Sequence, residues 1–177
     1  MNAMAHIECT TELGPALVQQ ARDLLWRVFD DMTEHDWQHC LGGSYVLARD
    51  GNELVGFAAL VPRDLLHGEL PVRTGYVEGV AVAPTHRRQG IGGQVMVEIE
   101  RLIRAGYELG ALGSSDEGLP FYRSRGWQTW RGRTFVRIAQ GRVRTAEDEG
   151  AILIYPSTFP HDLLADLTCE SRPGEPW

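Results

Sequence analysis

The chain of 177 residues is 43% hydrophobic and 23% charged, the composition of an ordinary globular protein with one compact core. Its net charge of −7 argues against a nucleic acid-binding protein, because phosphate contacts require a basic surface, and is compatible with a cationic ligand. No apolar stretch approaches the roughly 20 residues of a membrane-spanning helix, and the N-terminal residues lack the layout of a signal peptide, so we expect a cytoplasmic protein without a membrane partner.

Hydrophobic periodicity predicts a mixed α/β fold in which helices flank a sheet. In chain order we predict a strand at residues 6–10, a helix at 15–29, a loop entering a short helix at 30–41, strands at 44–49, 53–62 and 72–83, a helix at 90–105, a strand at 107–112 and a short helix at 117–125. Asp50-Gly51-Asn52 is typical of a hairpin turn, and Thr33 and Asp36 have the spacing of a capping box. Strands and loops fill the C-terminal third, and we predict a single domain over residues 1–177.

A glycine-rich turn, Arg87-Arg88-Gln89-Gly90-Ile91-Gly92-Gly93, connects the strand at 72–83 to the helix at 90–105. Backbone N–H groups at a helix start are unpaired and carry the positive end of the dipole, so such a turn can hold a phosphate or pyrophosphate. The dinucleotide-binding pattern lacks its third glycine here. A P-loop and Schiff-base chemistry both require lysine, and all 17 basic residues are arginine. The alternative is a plain helix start with two solvated arginines.

Glu78 is a carboxylate within an otherwise apolar strand. Strand alternation places it on one face with Tyr76, Val80 and Val82. Because burying an unpaired charge is costly, we expect Glu78 either to line the mouth of a cleft or to form a structural salt bridge with an arginine. In a cleft, this carboxylate can accept a proton from an ammonium substrate.

The pattern R-x-x-G-x-G directly after an apolar strand resembles the acetyl-CoA-binding motif of the GCN5-related N-acetyltransferases, the GNAT family. The resemblance implies a sheet that splays between the parallel strands at 72–83 and 107–112, with the pantetheine arm of acetyl-CoA in the gap and the pyrophosphate at the turn. The implied cofactor-binding residues are Val80, Ala81, Val82, Arg87, Arg88, Gln89, Gly90, Ile91, Gly92 and Gly93.

The same resemblance implies a catalytic role for Tyr122, which occupies the helix position of a tyrosine that often protonates the leaving thiolate in this family. The alternative for Tyr122 is an ordinary packed aromatic residue. Cys9, Cys40 and Cys169 are too scattered for a disulfide framework or a zinc pattern. Since none lies near the turn or Glu78 in sequence, we expect direct transfer without an acyl-enzyme.

Five segments, at residues 29–37, 39–43, 75–79, 107–112 and 169–177, extend the resemblance to the aminoglycoside 2′-N-acetyltransferases over nearly the whole chain. This implies a homodimer and an acidic pocket for a cationic aminoglycoside, with Asp36 joining Glu78 as a catalytic residue. The implied substrate-binding residues are Asp31, Asp36, Glu78, Gly79, Asp148, Glu175 and Trp177, the last through a terminal carboxylate. The alternatives are helix capping for Asp36 and a solvated acidic loop for residues 147–149.

The chain departs from the family pattern at the implied substrate wall. Asp30-Asp31-Met32 replaces the usual Gly-Asp-Phe, Gly113 replaces a serine, and Glu175 replaces an aspartate. These departures favour an atypical aminoglycoside such as kasugamycin. Acetylation of another small amine or of a protein N-terminus, and acyl-CoA binding by a non-catalytic regulator, are the competing functions. His35 and His39 share a helix face, but no third ligand is signalled, so we expect no metal site.

Overall fold

The computed structural model describes residues 5–159 and 161–177. Its strands are β1 (His6–Thr10), β2 (Ser44–Asp50), β3 (Glu53–His67), β4 (Leu70–Val82), β5 (Leu109–Gly113), β6 (Gln128–Thr129), β7 (Thr134–Ile138), β8 (Gly141–Arg144), β9 (Ile152–Pro156) and β10 (Leu167–Glu170). Its helices are α1 (Pro15–Val28), α2 (Glu34–His39), α3 (Ile91–Gly106) and α4 (Leu119–Ser124), with 3₁₀ turns at Pro84–His86 and Ala146–Asp148.

The described chain forms two compact units. The first unit comprises residues 5–61 and 77–101, and the second comprises residues 62–76 and 102–177. That residues 1–177 make up a single acetyltransferase domain stays a prediction.

The first unit contains an antiparallel arrangement of β1, β2 and the first part of β3. β1 pairs with β2 along its whole length, and β2 pairs with β3 from Ser44 opposite Leu60 to Asp50 opposite Glu53. Gly51, in the turn between β2 and β3, has φ 57°, a left-handed conformation that glycine adopts without steric penalty. The predicted hairpin is therefore confirmed.

Helix α3 begins in the first unit and packs on β3 at a glycine. A β-carbon placed on Gly56 would lie 3.0 Å from Ile91 Cγ2 and 3.6 Å from Val95 Cγ2. Since Gly56 has no side chain, the first turn of α3 can approach the strand closely. Ile91 and Val95 are buried, so the face of α3 that packs on β3 at its first turns is apolar.

The second unit contains a mixed sheet in the order β6-β9-β5-β4-β3-β10-β7-β8. The pairs β4 with β5 and β10 with β7 are parallel, whereas β3 with β10, β5 with β9, β6 with β9 and β7 with β8 are antiparallel. The ladder between β4 and β5 ends at Tyr76 opposite Ala111, although β4 continues to Val82 and β5 to Gly113. The predicted mixed α/β fold, with a sheet that splays between these parallel strands, is confirmed.

Strand β3 is longer than predicted. The sequence predicted its end at residue 62 and the start of the next strand at residue 72, but β3 runs to His67 and only Gly68 and Glu69 separate it from β4. Buried Val61, Arg63 and Leu65 alternate with exposed Pro62 and Asp64. The strand therefore continues through the proline. Because Arg63 occupies a buried position, the alternation of buried and exposed residues was not visible in the hydrophobic pattern of the sequence.

Strand β5 begins later than predicted, at Leu109 instead of residue 107. Tyr107 N donates to Ile103 O at 2.9 Å, which continues the hydrogen-bond pattern of α3 beyond its last residue. Tyr107, which the sequence pattern assigned to the strand, is therefore hydrogen-bonded to the end of the helix.

Candidate functional site

The turn before α3 has two residues in the left-handed region, Arg88 with φ 62° and Gly90 with φ 82°. Gly90 O accepts a hydrogen bond from Gln94 N at 3.1 Å, which opens the helix. Within residues 5–159 and 161–177, Arg88 alone among non-glycine residues has a positive φ, and such strain clusters at ligand-binding sites. Left-handed residues before a helix start direct backbone N–H groups into an anion-binding concavity.

The side chains around this turn fit an anionic diphosphate. Arg87 and Arg88 are exposed, and neither guanidinium pairs with any part of the chain that the structure describes. The preceding segment is anchored, because His86 Nε2 lies 3.3 Å from Asp50 Oδ2. Of the other predicted cofactor residues in the turn, Gln89 is exposed, Ile91 is buried, and Gly92 and Gly93 are half-buried.

Glu78 lies where β4 becomes accessible. The buried run of the strand ends at Val77, and Glu78, Gly79 and Val80 are half-buried. Gly79 has φ 62°, a left-handed conformation that interrupts the pleat of a strand, as in a bulge. The regular alternation predicted through this stretch is therefore wrong, and Glu78 stands at the end of the buried run and not inside it.

Strand β4 packs closely against the end of α2 at Gly79. A β-carbon placed on Gly79 would lie 2.9 Å from Cys40 Sγ, so the strand and the buried cysteine approach each other closely. Cys40 follows α2 as its C-terminal cap, and its Sγ lies 3.4 Å from Asp36 O. This contact places α2, which carries Asp36, beside the part of β4 that carries Glu78.

Asp36 forms the capping box of α2. Thr33 N and Thr33 Oγ1 donate to Asp36 Oδ2 at 2.8 and 2.6 Å, and Asp36 N donates to Thr33 Oγ1 at 3.3 Å. The predicted capping box is confirmed, and it engages one carboxylate oxygen of Asp36. Asp31 is exposed in the loop before α2. The catalytic role of Asp36 and the substrate-binding roles of both residues stay predictions.

Tyr122 lies in α4, in the second unit, among aromatic side chains. Its ring centroid is 5.1 Å from that of Phe121 and 6.1 Å from that of Trp127. Burial raises the pKa of Tyr122 to about 12, because apolar surroundings disfavour the charged phenolate. The hydroxyl therefore stays protonated at neutral pH. Packing among aromatic residues does not decide between the two alternatives for Tyr122, and its catalytic role stays a prediction.

Glu147, Asp148 and Glu175 form an acidic cluster in the second unit. The pKa of Asp148 is raised, first by burial and then by the charges of Glu147 and Glu175. Asp148 Oδ2 is buried without a hydrogen-bond partner among the described residues. None of the three carboxylates is paired with a described cation, whereas the adjacent Glu149 is bound by Arg144 at 2.8 Å. The cluster therefore carries negative charge that no described cation neutralises, and it suits a cationic ligand.

Trp177 lies beside the segment that carries Asp148. Its Nε1 donates to Thr145 Oγ1 at 2.9 Å, and Thr145 directly precedes the 3₁₀ turn that ends at Asp148. A β-carbon placed on Gly113 would lie 3.9 Å from the carbonyl carbon of Trp177. The structure thus brings together three predicted substrate-binding residues of the second unit, Asp148, Glu175 and Trp177.

Sequence reasoning missed two residues that fix the C-terminal residues in place. Arg63 Nη2 donates to Pro176 O at 2.9 Å, and Thr145 accepts from Trp177. For Arg63 the available signal was a charged residue in register with the buried positions of β3. No sequence pattern marks Thr145.

Within residues 5–159 and 161–177, no three His, Cys, Asp or Glu side chains cluster as metal ligands do. His35 is exposed and His39 half-buried on α2. None of the described helices has the length and apolar character needed to cross a membrane. The signal-peptide expectation falls partly on residues 1–4, which lie outside the described residues.

Comparisons with known proteins agree on the family. The sequence profile described as "Acetyltransferase (GNAT) domain" matches residues 11–130. An aminoglycoside 2′-N-acetyltransferase of Mycolicibacterium fortuitum is 36% identical over 98% of this chain and 91% of its own length. The N-acetyltransferase Eis of Mycobacterium tuberculosis is 39% identical over 80 residues, which cover 42% of this chain and 20% of that protein.

Solved structures show the same fold. The GNAT family N-acetyltransferase YhbS of Escherichia coli in complex with CoA matches 94% of this chain and 89% of its own, with a TM-score of 0.65 and 18% identity. A GCN5-related N-acetyltransferase of Kribbella flavida matches 73% of this chain with a TM-score of 0.60 and 20% identity, and this chain spans 34% of its length. The protein therefore belongs to the GNAT acetyltransferase family, and it is an enzyme whose acetyl donor is acetyl-CoA.

Proposed function

We propose that the protein acetylates an amino group of an aminoglycoside antibiotic. The relative from Mycolicibacterium fortuitum supports this substrate class, with 36% identity over 98% of the chain. The observation that carries the proposal is the acidic cluster, in which burial and then the charges of Glu147 and Glu175 raise the pKa of Asp148, and no described cation neutralises the three groups. A polycationic substrate relieves this repulsion, since each ammonium donates charge-assisted hydrogen bonds.

The residues for acetyl-CoA follow the motif. We assign the diphosphate to the backbone of the turn before α3 and to the guanidinium groups of Arg87 and Arg88. Val80, Ala81 and Val82 lie beyond the last pair of the β4–β5 ladder, so their N–H and C=O groups on that side of β4 are not taken by β5 and suit the amides of the pantetheine arm. Acetyl-CoA supplies an acetyl group activated as a thioester.

We assign Glu78 as the group that accepts the proton of the substrate ammonium, directly or through a water. It stands at the accessible end of the buried run of β4. Asp36 Oδ2 accepts two hydrogen bonds from Thr33. Asp36, on the adjacent helix, retains Oδ1 to share the deprotonation or to bind an ammonium group. Deprotonation is required because an ammonium has no free electron pair for attack.

Tyr122 and the cysteines favour direct transfer. The pKa of Tyr122, raised to about 12, keeps a proton on Oη that can stabilise a departing thiolate by a hydrogen bond. Cys40 and Cys169 are buried, and burial raises the pKa of Cys169 to about 11. Cys9 is exposed, and partial burial and then the charge of Glu98 raise its pKa. A thiol with a raised pKa is a poor nucleophile, so Cys9 and Cys169 are poor candidates for an acyl-enzyme.

The finer substrate choice rests on the residues that depart from the family pattern. Asp30 and Met32 lie in the loop before α2, and Gly113 lies at the end of β5 beside Trp177. A glycine at this position leaves room that a serine side chain would fill. These differences favour an atypical aminoglycoside such as kasugamycin over the common deoxystreptamine drugs.

The test is release of free CoA thiol from acetyl-CoA in the presence of an aminoglycoside panel that includes kasugamycin. We expect turnover with at least one aminoglycoside and its loss in Glu78→Gln, a variant that still binds CoA. Turnover only with another small amine or with a peptide N-terminus would overturn the substrate claim and leave acetyl transfer intact. The non-catalytic regulator is set aside, because the chain belongs to an enzyme family.

We also propose that the protein is a homodimer and that it is located in the cytoplasm. Light scattering of the purified protein in solution decides the first, and fractionation of cells that express it decides the second.

A further inference from the structure

Arg63 is a charged side chain in the interior of the second unit. Its side chain is 3% exposed, and its guanidinium carbon lies 4.7 Å from the ring centroid of Tyr76. Arg63 Nε donates to Glu170 Oε1 at 2.9 Å. Burial by itself lowers the pKa of Arg63, but the hydrogen bond and charge of Glu170 raise it above its ordinary value. The guanidinium is therefore a fixed positive charge inside the unit.

The same guanidinium fastens the C-terminal segment, residues 171–177. Arg63 Nη2 donates to Glu170 O at 3.3 Å and to Pro176 O at 2.9 Å. Cys169 Sγ lies 3.5 Å from the same Pro176 oxygen. Since Glu170 ends β10 and the C-terminal segment contains no helix or strand, these contacts fold the segment back onto the end of its own strand.

The segment carries two of the proposed substrate-binding residues. Glu175 and Trp177 flank Pro176, so the carbonyl bound by Arg63 lies at their centre. The charge of Glu175 contributes to the raised pKa of Asp148, which means that the two carboxylates repel each other. The contact of Pro176 with Arg63 opposes this repulsion.

We propose that Arg63 is a positioning residue, whose buried guanidinium binds Pro176 so that Glu175 and Trp177 stay in place to receive the ammonium groups of the substrate. The proposal rests on the proposed aminoglycoside activity. Arg63 acts through the segment and not by touching the substrate. The fork of the guanidinium is essential, because it reaches one carboxylate and two carbonyls at once, which a lysine ammonium does not reproduce.

The test combines Arg63→Gln with Glu175→Gln in a double-mutant cycle. With an aminoglycoside substrate, Arg63→Gln is expected to lower kcat/KM by roughly 10- to 100-fold, the scale of a misplaced binding group. The loss falls mainly on KM for the aminoglycoside, while KM for acetyl-CoA stays unchanged. In the Glu175→Gln background, Arg63→Gln is expected to add a smaller loss, because only Trp177 is left to be misplaced. An equal loss in both backgrounds would show a general structural role and overturn the proposal.

Hydrogen–deuterium exchange of the C-terminal segment supplies a readout that does not depend on activity. Arg63→Gln is expected to speed exchange in residues 171–177 and to leave β5 and β9 unchanged. Arg133→Gln is the control, because Arg133 forms an ion pair with Asp166 at 2.8 and 3.0 Å but has no contact with the segment among the described residues. Unchanged exchange in Arg63→Gln would overturn the attachment.

The two proposals fail in different ways. If the unmodified protein turns over no aminoglycoside, the proposed function is wrong, and exchange still decides whether Arg63 holds the segment. If the unmodified protein is active and Glu175→Gln retains full kcat/KM, the positioning proposal is wrong and the acetyl transfer stands. Arg63→Lys, which keeps the charge and loses the fork, decides the question if Arg63→Gln does not fold, and it is expected to recover only part of the activity.

Discussion

Replacement of Gly79 by alanine perturbs the contact between β4 and α2 at one point. Gly79 has φ 62°, and a β-carbon there would lie 2.9 Å from Cys40 Sγ, 3.3 Å from Leu25 Cδ2 and 3.4 Å from Phe57 Cε1. Cys40 and Phe57 are fully buried and Leu25 has no exposed surface. The added methyl group therefore forces a shift of packed atoms directly beside Glu78.

The magnitude has two parts. A left-handed conformation costs a non-glycine residue roughly 1–2 kcal/mol, and a methyl group forced into a packed site costs roughly 1–3 kcal/mol. We expect Gly79→Ala to lose about 3 kcal/mol, which for a protein of this size lowers Tm by roughly 6–12 °C. Acetyl transfer at a temperature where the variant is folded is expected to fall as well, because the shift moves the strand that carries Glu78.

Gly51→Ala is the matched control. Gly51 has φ 57°, but no atom lies within 4 Å of its built β-carbon, so only the conformational part applies. Thermal unfolding followed by circular dichroism measures both variants. If Gly79→Ala and Gly51→Ala lower Tm equally, the packing of Cys40 against β4 is refuted, and with it the placement of α2 beside Glu78.

Three further substitutions test separate parts of the site. Glu78→Gln is expected to lower kcat by roughly 100-fold or more, the usual contribution of a general base, with unchanged CoA binding by calorimetry; unchanged kcat would exclude Glu78 as the proton acceptor. Arg87→Ala is expected to raise KM for acetyl-CoA roughly tenfold or more, as for a lost charged hydrogen bond, whereas Arg131→Ala, an exposed arginine outside the turn, leaves it unchanged. Asp148→Asn is expected to raise Tm at pH 7. The pKa of Asp148 is raised above 3.8, so its ionisation disfavours the folded state as pH rises through that value. The gain in Tm from Asp148→Asn is therefore expected to disappear below pH 3.8. A gain in Tm that is the same at every pH would contradict this explanation.

The sequence predicted the features that depend on local pattern. The turn at Arg88 and Gly90 was found from its glycines, and the structure adds the left-handed backbone that glycines permit. The capping box of Thr33 and Asp36 was likewise visible from spacing and is confirmed. Both features are set by residues within a few positions of one another, so a single sequence contains the information.

Features that depend on residues far apart in sequence were missed. The half-buried position of Glu78 results from a left-handed glycine packed against Cys40, 39 positions earlier. The length of β3 was misjudged at Pro62, because the buried position that follows holds Arg63, whose partner Glu170 lies in β10. Alternation rules assume that charged residues face solvent, so a buried ion pair formed with a distant strand breaks the pattern that would have revealed the strand.

The most direct test of the proposed function is to identify the product of acetyl-CoA and an aminoglycoside with the purified protein, by mass spectrometry and nuclear magnetic resonance. We expect one added acetyl group on a single amine, the 2′-amine, with loss of the product in Glu78→Gln. An unmodified aminoglycoside after incubation with active protein and acetyl-CoA, or an acetyl group found only on an amine of another class of molecule, would contradict it.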